Sequence, residues 1–158
     1  MAMNAGVKVA AVVGVDHRIQ YTNADCGPEW TSDIRAFEDY LVDQASSHDV
    51  DLLAEEFSEE AVRKNNATTS TVQEAARRAH KPHLFMDPDT VERDAAGITT
   101  GAQRESEWLQ RLRLANVTRL LIVCGDDHVD SFAQRLDEDG FRTTVLSRGW
   151  GYDWMTRN

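Results

Sequence analysis

The chain is poor in cysteine and proline, with two and three respectively in 158 residues, and basic residues are also scarce. Cys26 and Cys124 stand in no CxxC or Cys/His spacing, which excludes a disulfide scaffold and a structural zinc site. Cys124 ends an apolar run and is expected to act as a small buried hydrophobe. Cys26, in a polar loop with no neighbouring base, is expected to be an exposed thiol, and neither cysteine is assigned a catalytic role. Lys plus Arg is 17 against 27 for Asp plus Glu, a net charge of −10. A phosphate backbone is repelled on average, so neither nucleic acid nor an anionic membrane is an expected partner. No apolar run approaches the roughly 20 residues needed to cross a bilayer. The opening Met1-Ala2-Met3-Asn4-Ala5-Gly6 lacks a basic then apolar leader, so a cytoplasmic location is expected. What remains, 41% hydrophobic and 28% charged, suits one compact domain.

Five short apolar runs recur, over residues 7–13, 50–57, 82–86, 117–124 and 141–146. Continuous runs of this length suit strands buried on both faces. Helical spacing lies between them. Trp30, Ile34, Phe37, Leu41 and Ala45 form one stripe. Val72, Ala75, Ala76 and Ala79 form a narrow one, opened by a capping box read at Thr71 and Glu74. Trp108, Leu109, Leu112 and Ala115 make a third, and Val129, Phe132, Ala133 and Leu136 a fourth, closed by Gly140 as a left-handed C′ residue. Alternation of strand and helix predicts an α/β fold: a single three-layer domain with a mostly parallel five-stranded sheet and helices on both faces. Polar connections are expected at 65–70 and 97–101. The aromatic C-terminal tail, 148–158, is expected to dock on its own sheet or on a partner subunit.

Chemistry collects where strands should end. Gly14-Val15-Asp16-His17 follows the first run and Gly125-Asp126-Asp127-His128 the fourth. With 9 glycines and 5 histidines, ~0.3 GxxH matches are expected by chance, so two, each directly after a buried run, are informative. The glycine is read as allowing a sharp turn off the strand, with the imidazole three residues on reaching over the carboxyl edge, where open α/β sheets bind ligands. Glu55 and Glu56 close the second run. Alternation sends them to different environments, and Glu56, nearer the carboxyl end, is assigned to the site. Asp87, before Pro88, reads as a turn cap. Arg104 and Glu105 lie one helical turn before Trp108 and Leu109, beside the buried stripe, where the arginine should be ion-paired or should hold an anionic substrate or an oxyanion.

Strand order tests the reading. In order 3-2-1-4-5, strands 1 and 4 are neighbours, His17 and His128 face each other, and Glu56 lies one strand further along. In order 2-1-3-4-5, strand 3 separates the histidines.

Taken in order, Gly14 and His17, Glu56 within Asp51-Leu-Leu-Ala-Glu-Glu, Arg104-Glu105 before Trp108, and Gly125 and His128 resemble the pattern of the TraB/Tiki family, related in fold to the erythromycin esterase and ChaN-like proteins. The resemblance spans roughly 7–146 and implies one such domain over 1–158. It implies a site at the strand ends more firmly than a reaction, since the group includes metal-dependent proteases, esterases and haem binders. The expectation is a small hydrolase with His17, Glu56, Arg104, Glu105 and His128 as catalytic residues, acting on a small-molecule or peptide substrate. Either His17, Glu56 and His128 bind a divalent metal (Mn, Co or Zn), or one histidine acts as general base without metal. The rival expectation is a non-catalytic small-ligand-binding or sensor domain. A nucleotide-binding module is disfavoured, because no GxGxxG or Walker loop follows the first run. The aromatic tail favours a homodimer.

Overall fold

A computed structural model describes residues 6–22 and 28–152, so Cys26 and the last part of the tail lie outside the described residues. Strand β1 (Val9–Val15) is followed by a short 3-10 turn (His17–Gln20), α1 (Pro28–Ser47), β2 (Leu52–Glu55), α2 (Glu59–Lys64), α3 (Thr71–Arg78) and β3 (His83–Phe85). The chain then forms α4 (Thr90–Ala96), α5 (Gly101–Ala115), β4 (Arg119–Gly125), α6 (Asp126–Glu138) and β5 (Arg142–Trp150). The strands make one parallel sheet in the order β3-β2-β4-β1-β5, in a three-layer α/β fold.

Both faces of the sheet are covered, as continuous apolar strands require. Ala11, Val13, Val15, Leu121 and Val123 face Ile34, Phe37 and Leu41 of α1 and Val72, Ala75 and Ala76 of α3. The alternate residues Ala10, Val12, Leu120, Ile122 and Cys124 face Trp108 and Leu112 of α5 and Val129, Phe132 and Leu136 of α6. Cys124 is fully buried, and burial pushes its thiol pKa well up, so it packs as a hydrophobe. Among the described residues, no helix is long and apolar enough to cross a membrane.

Neither expected strand order is realised. Strand β4 lies between β1 and β2, so it borders both. Registers Val13↔Val123 and Glu55↔Val123 bring the three strands level, and the chain ends beyond them reach one edge together. The histidine loops are thereby neighbours, as the first order required, and Glu56 sits beside the β4 loop.

Local signals differ in detail. The α3 capping box is one residue earlier than read: Ser70 Oγ accepts from Gln73 N, and Gln73 reaches back to Ser70 N. Thr71 instead donates its hydroxyl to the Ile19 carbonyl at 2.8 Å. Helix α4 has no buried residue and hence no apolar stripe to read; a reciprocal Asp89–Glu92 cap opens it and Gly97, at φ +67°, closes it. Ala115 is exposed, whereas Gly140 has φ +94° after α6 as expected. The last apolar run extends past residue 146 as strand to Trp150. The Trp150 ring lies 5.2 Å from Phe37 and 4.8 Å from Tyr40, so this part of the tail docks on its own α1.

Candidate active site

Each GxxH motif works by close approach rather than by an unusual backbone turn. Neither Gly14 nor Gly125 has a positive φ. A Cβ at Gly14 would lie 2.2 Å from Asp126 Oδ1 and 2.8 Å from Val129, and one at Gly125 would lie 2.8 Å from His17 Nε2. The glycine of the first motif makes room for the helix that carries His128, and the glycine of the second makes room for His17. Neighbouring strands β1 and β4 thus need both glycines to bring the loops together.

The common point is Glu56, 3% exposed at the end of β2. Its Oε1 accepts from Gly125 N at 2.8 Å, and its Oε2 accepts from the Arg104 guanidinium at 2.6 Å. His17 Nε2 and His128 Nε2 lie 3.5 and 3.7 Å from the same Oε2. The structure therefore brings His17, Glu56, Arg104 and His128 together. Glu105, next to Arg104 on α5, accepts from His128 Nδ1 and from Ser131 Oγ, both at 2.8 Å, while Arg135 Nε lies 3.3 Å from its other oxygen.

Asp87 is not a turn cap. It is 6% exposed, and it accepts from Arg104 Nε at 3.0 Å, Arg93 at 2.6 Å and Trp108 Nε1 at 2.8 Å, which anchors Arg104; Asp89 does the capping. Gln20, Asp87, Ser131 and Arg135 were missed as members of the cluster. Ser131 follows His128 by three residues, a helical spacing that could have drawn attention to it.

Burial alone would push the His17 pKa down, but the hydrogen bond and charge of Glu56 outweigh it and lift it to about 9. Glu56 is held below the usual carboxylate range: burial opposes this, and His17, Gly125 N and Arg104 overcome it. Arg104 is raised, its burial outweighed by Asp87 and Glu56. At neutral pH the site presents an imidazolium and a guanidinium flanking one buried carboxylate.

The folded His17 pKa lies above its unfolded value, so its stabilisation is fully present below about 6.5 and is lost as pH rises through about 9. The His17 side chain is 43% exposed, so screening by water reduces the gain, and about 1 kcal/mol is expected. Urea denaturation of wild type and His17→Gln at pH 6 and pH 10 tests this: the wild-type advantage should shrink by about that amount, and a constant difference contradicts the pairing.

A cavity of about 250 Å³, lined by Val15, Asp16, His17, Glu56, Arg104 and Tyr152 with the first turn of α6, opens over the cluster. A smaller, more apolar one of about 160 Å³ adjoins it and shares His17, Glu56 and Arg104, with Tyr21, Phe57 and Ala61 on its far side. As arranged here, the donor set is not closed around a divalent ion. Among the described residues, no group of three or more His, Cys, Asp or Glu is placed to hold one. The Glu56 oxygens expected to ligate Mn, Co or Zn alongside His17 and His128 each accept a hydrogen bond, one from a guanidinium and one from a backbone N–H.

Comparison of the chain with protein-family models, curated proteins and solved structures finds no match.

Proposed function

We propose that this chain is a small hydrolase that activates water with His128 as general base and stabilises the developing negative charge with Arg104 and the His17 imidazolium. The observation that carries the reading is how His128 is held. Its Nδ1 lies 2.8 Å from Glu105 Oε2, and since a carboxylate only accepts, the ring proton sits on Nδ1. In the neutral ring, Nε2 then carries the lone pair and faces Glu56 and the cavity. This is the base-and-orienter arrangement of nucleophilic and general-base sites. The ring also packs edge-on against Trp108, with centroids 4.9 Å apart.

In the reaction, a cavity water passes a proton to His128 Nε2 as its oxygen bonds to the carbonyl carbon of an ester or amide. The carbonyl oxygen becomes an oxyanion facing Arg104 and His17. Collapse breaks the bond to the leaving alcohol or amine, giving acid and alcohol or amine. The leaving group takes either the proton that His128 received or one from His17, in which case His128 releases its proton and His17 regains one through the cavity water. The size of the cavity favours a compact substrate or a peptide end. The TraB/Tiki-like order of motifs supports the same class of chemistry but does not choose the substrate.

A panel of esters, peptides and phosphoesters assayed with wild type, His128→Gln, Glu105→Gln and the His17→Gln/His128→Gln double variant tests the proposal. Loss of the base should lower kcat by about 10²–10⁴-fold, with Glu105→Gln intermediate and its pH profile displaced. Persistent turnover by the double variant overturns the assignment. Tight binding without turnover would favour the ligand-binding domain. Thermal stabilisation by Mn²⁺, Co²⁺ or Zn²⁺ that vanishes in both histidine variants would restore a metal-dependent site.

A further inference from the structure

Glu55 is fully buried and takes no part in the reaction proposed above. A buried carboxylate is retained only with partners, and its partners here are specific. Oε2 accepts from Ser70 Oγ at 2.5 Å and from His83 Nε2. Oε1 accepts from Gln20 Nε2 at 2.9 Å, and that same Nε2 lies 3.5 Å from the Glu56 carbonyl oxygen. Both neighbours of the Gln20 NH₂ group are acceptors without a proton to give, so the amide has one orientation. Its oxygen must face the other way, and there it lies 2.7 Å from His17 Nδ1, closer than the 3.5 Å that separates His17 Nε2 from the competing acceptor Glu56 Oε2.

We infer that Glu55, acting through Gln20, is a positioning residue that keeps a proton on Nδ1 of His17 and leaves Nε2, the nitrogen facing Glu56 and the cavity, as the one that exchanges protons. The geometry stands without the hydrolase reading, but the purpose rests on it. A ring that kept its neutral-state proton on Nε2 would offer the cavity no lone pair with which to take a proton back after giving one to a leaving group. The 3-10 turn His17–Gln20 supplies the spacing of three residues that sets Gln20 beside the ring. Gln20 itself is fully buried, so water does not compete for the amide.

The chain labelled with ¹⁵N-histidine reports which ring nitrogen is protonated, with His17 signals assigned by their loss in His17→Gln. At pH 10, above the about 9 of His17, wild type should show the Nδ1–H form. In Glu55→Gln, with Ser70 and His83 still donating as they do in wild type, the new amide keeps its oxygen toward them and its NH₂ faces Gln20. The Gln20 amide then turns over and presents NH₂ to His17 Nδ1, and the ring proton should move to Nε2. Gln20→Leu removes the acceptor outright and should produce the same switch, which decides the matter should Glu55→Gln not fold. A His17 that keeps its Nδ1 proton in both variants overturns the inference. In turnover assays, Glu55→Gln should lower kcat by about tenfold with KM little changed. A switch of tautomer in the two variants, with a wild type that turns over no substrate, would uphold the inference and count against the hydrolase reading alone.

Discussion

Glu56→Ala is expected to cost about 3–5 kcal/mol of folding stability and to abolish activity, the largest combined effect of any single change in the site. The carboxylate is 3% exposed and is faced by Gly125 N, the Arg104 guanidinium and two imidazoles. Removing it leaves a buried N–H without an acceptor, and it leaves the Arg104 guanidinium and the His17 ring without the carboxylate that both face. The methylene volume lost is modest, so the cost comes from uncompensated charge rather than from a cavity. Urea denaturation at pH 7 should therefore show a lower midpoint with an unchanged slope. Glu56→Gln keeps the Gly125 contact through its carbonyl but turns an NH₂ toward Arg104, so it should recover only part of the loss. His17, no longer facing a carboxylate, should in both variants titrate well below the about 9 it has in wild type. A Glu56→Ala protein as stable as wild type would mean that these four groups do not depend on this carboxylate.

Much of this arrangement is legible in the sequence because it depends on period and order. Continuous apolar runs mark the strands, and alternate residues of β1 and β4 divide between the two faces as the pleat requires. The two GxxH spellings mark loops that meet. What stays hidden depends on partners distant in sequence. Nothing local tells that β4 inserts between β1 and β2, because crossover choice is settled by packing of whole helices. The role of each motif glycine is visible only across strands: Gly125 is small because His17, more than a hundred residues earlier, occupies its side-chain space. Glu55 and Glu56 look alike as neighbours, yet one ends in a network with Gln20, Ser70 and His83, and the other at the centre of the cluster. Helix α4 escapes a search for apolar stripes because its caps, not its burial, define it.

Arg104→Leu separates the two duties assigned to the guanidinium. It donates to Asp87 through Nε and its terminal nitrogen at 3.0 and 2.9 Å, to Glu56 at 2.6 Å, and its charge lies 5.5 Å over the Trp108 ring. Without it, Asp87 still has Arg93 and the Trp108 indole, and Glu56 still has Gly125 N and His17. Folding should therefore suffer less than in Glu56→Ala, by about 1–3 kcal/mol. Activity should fall by about 10²–10³-fold in kcat with KM little altered, because the lost contact is one made to charge that develops during the reaction. Arg104→Lys should not restore it, since an ammonium cannot bridge two carboxylates with the planar fork that fits them. Millimolar guanidinium added to Arg104→Leu should recover part of the rate by occupying the same gap between Asp87 and Glu56, whereas an equal concentration of sodium chloride should not. If kcat in Arg104→Leu stays within a few-fold of wild type, the arginine is only a strut between two carboxylates, and stabilisation of the oxyanion must then come from His17 alone.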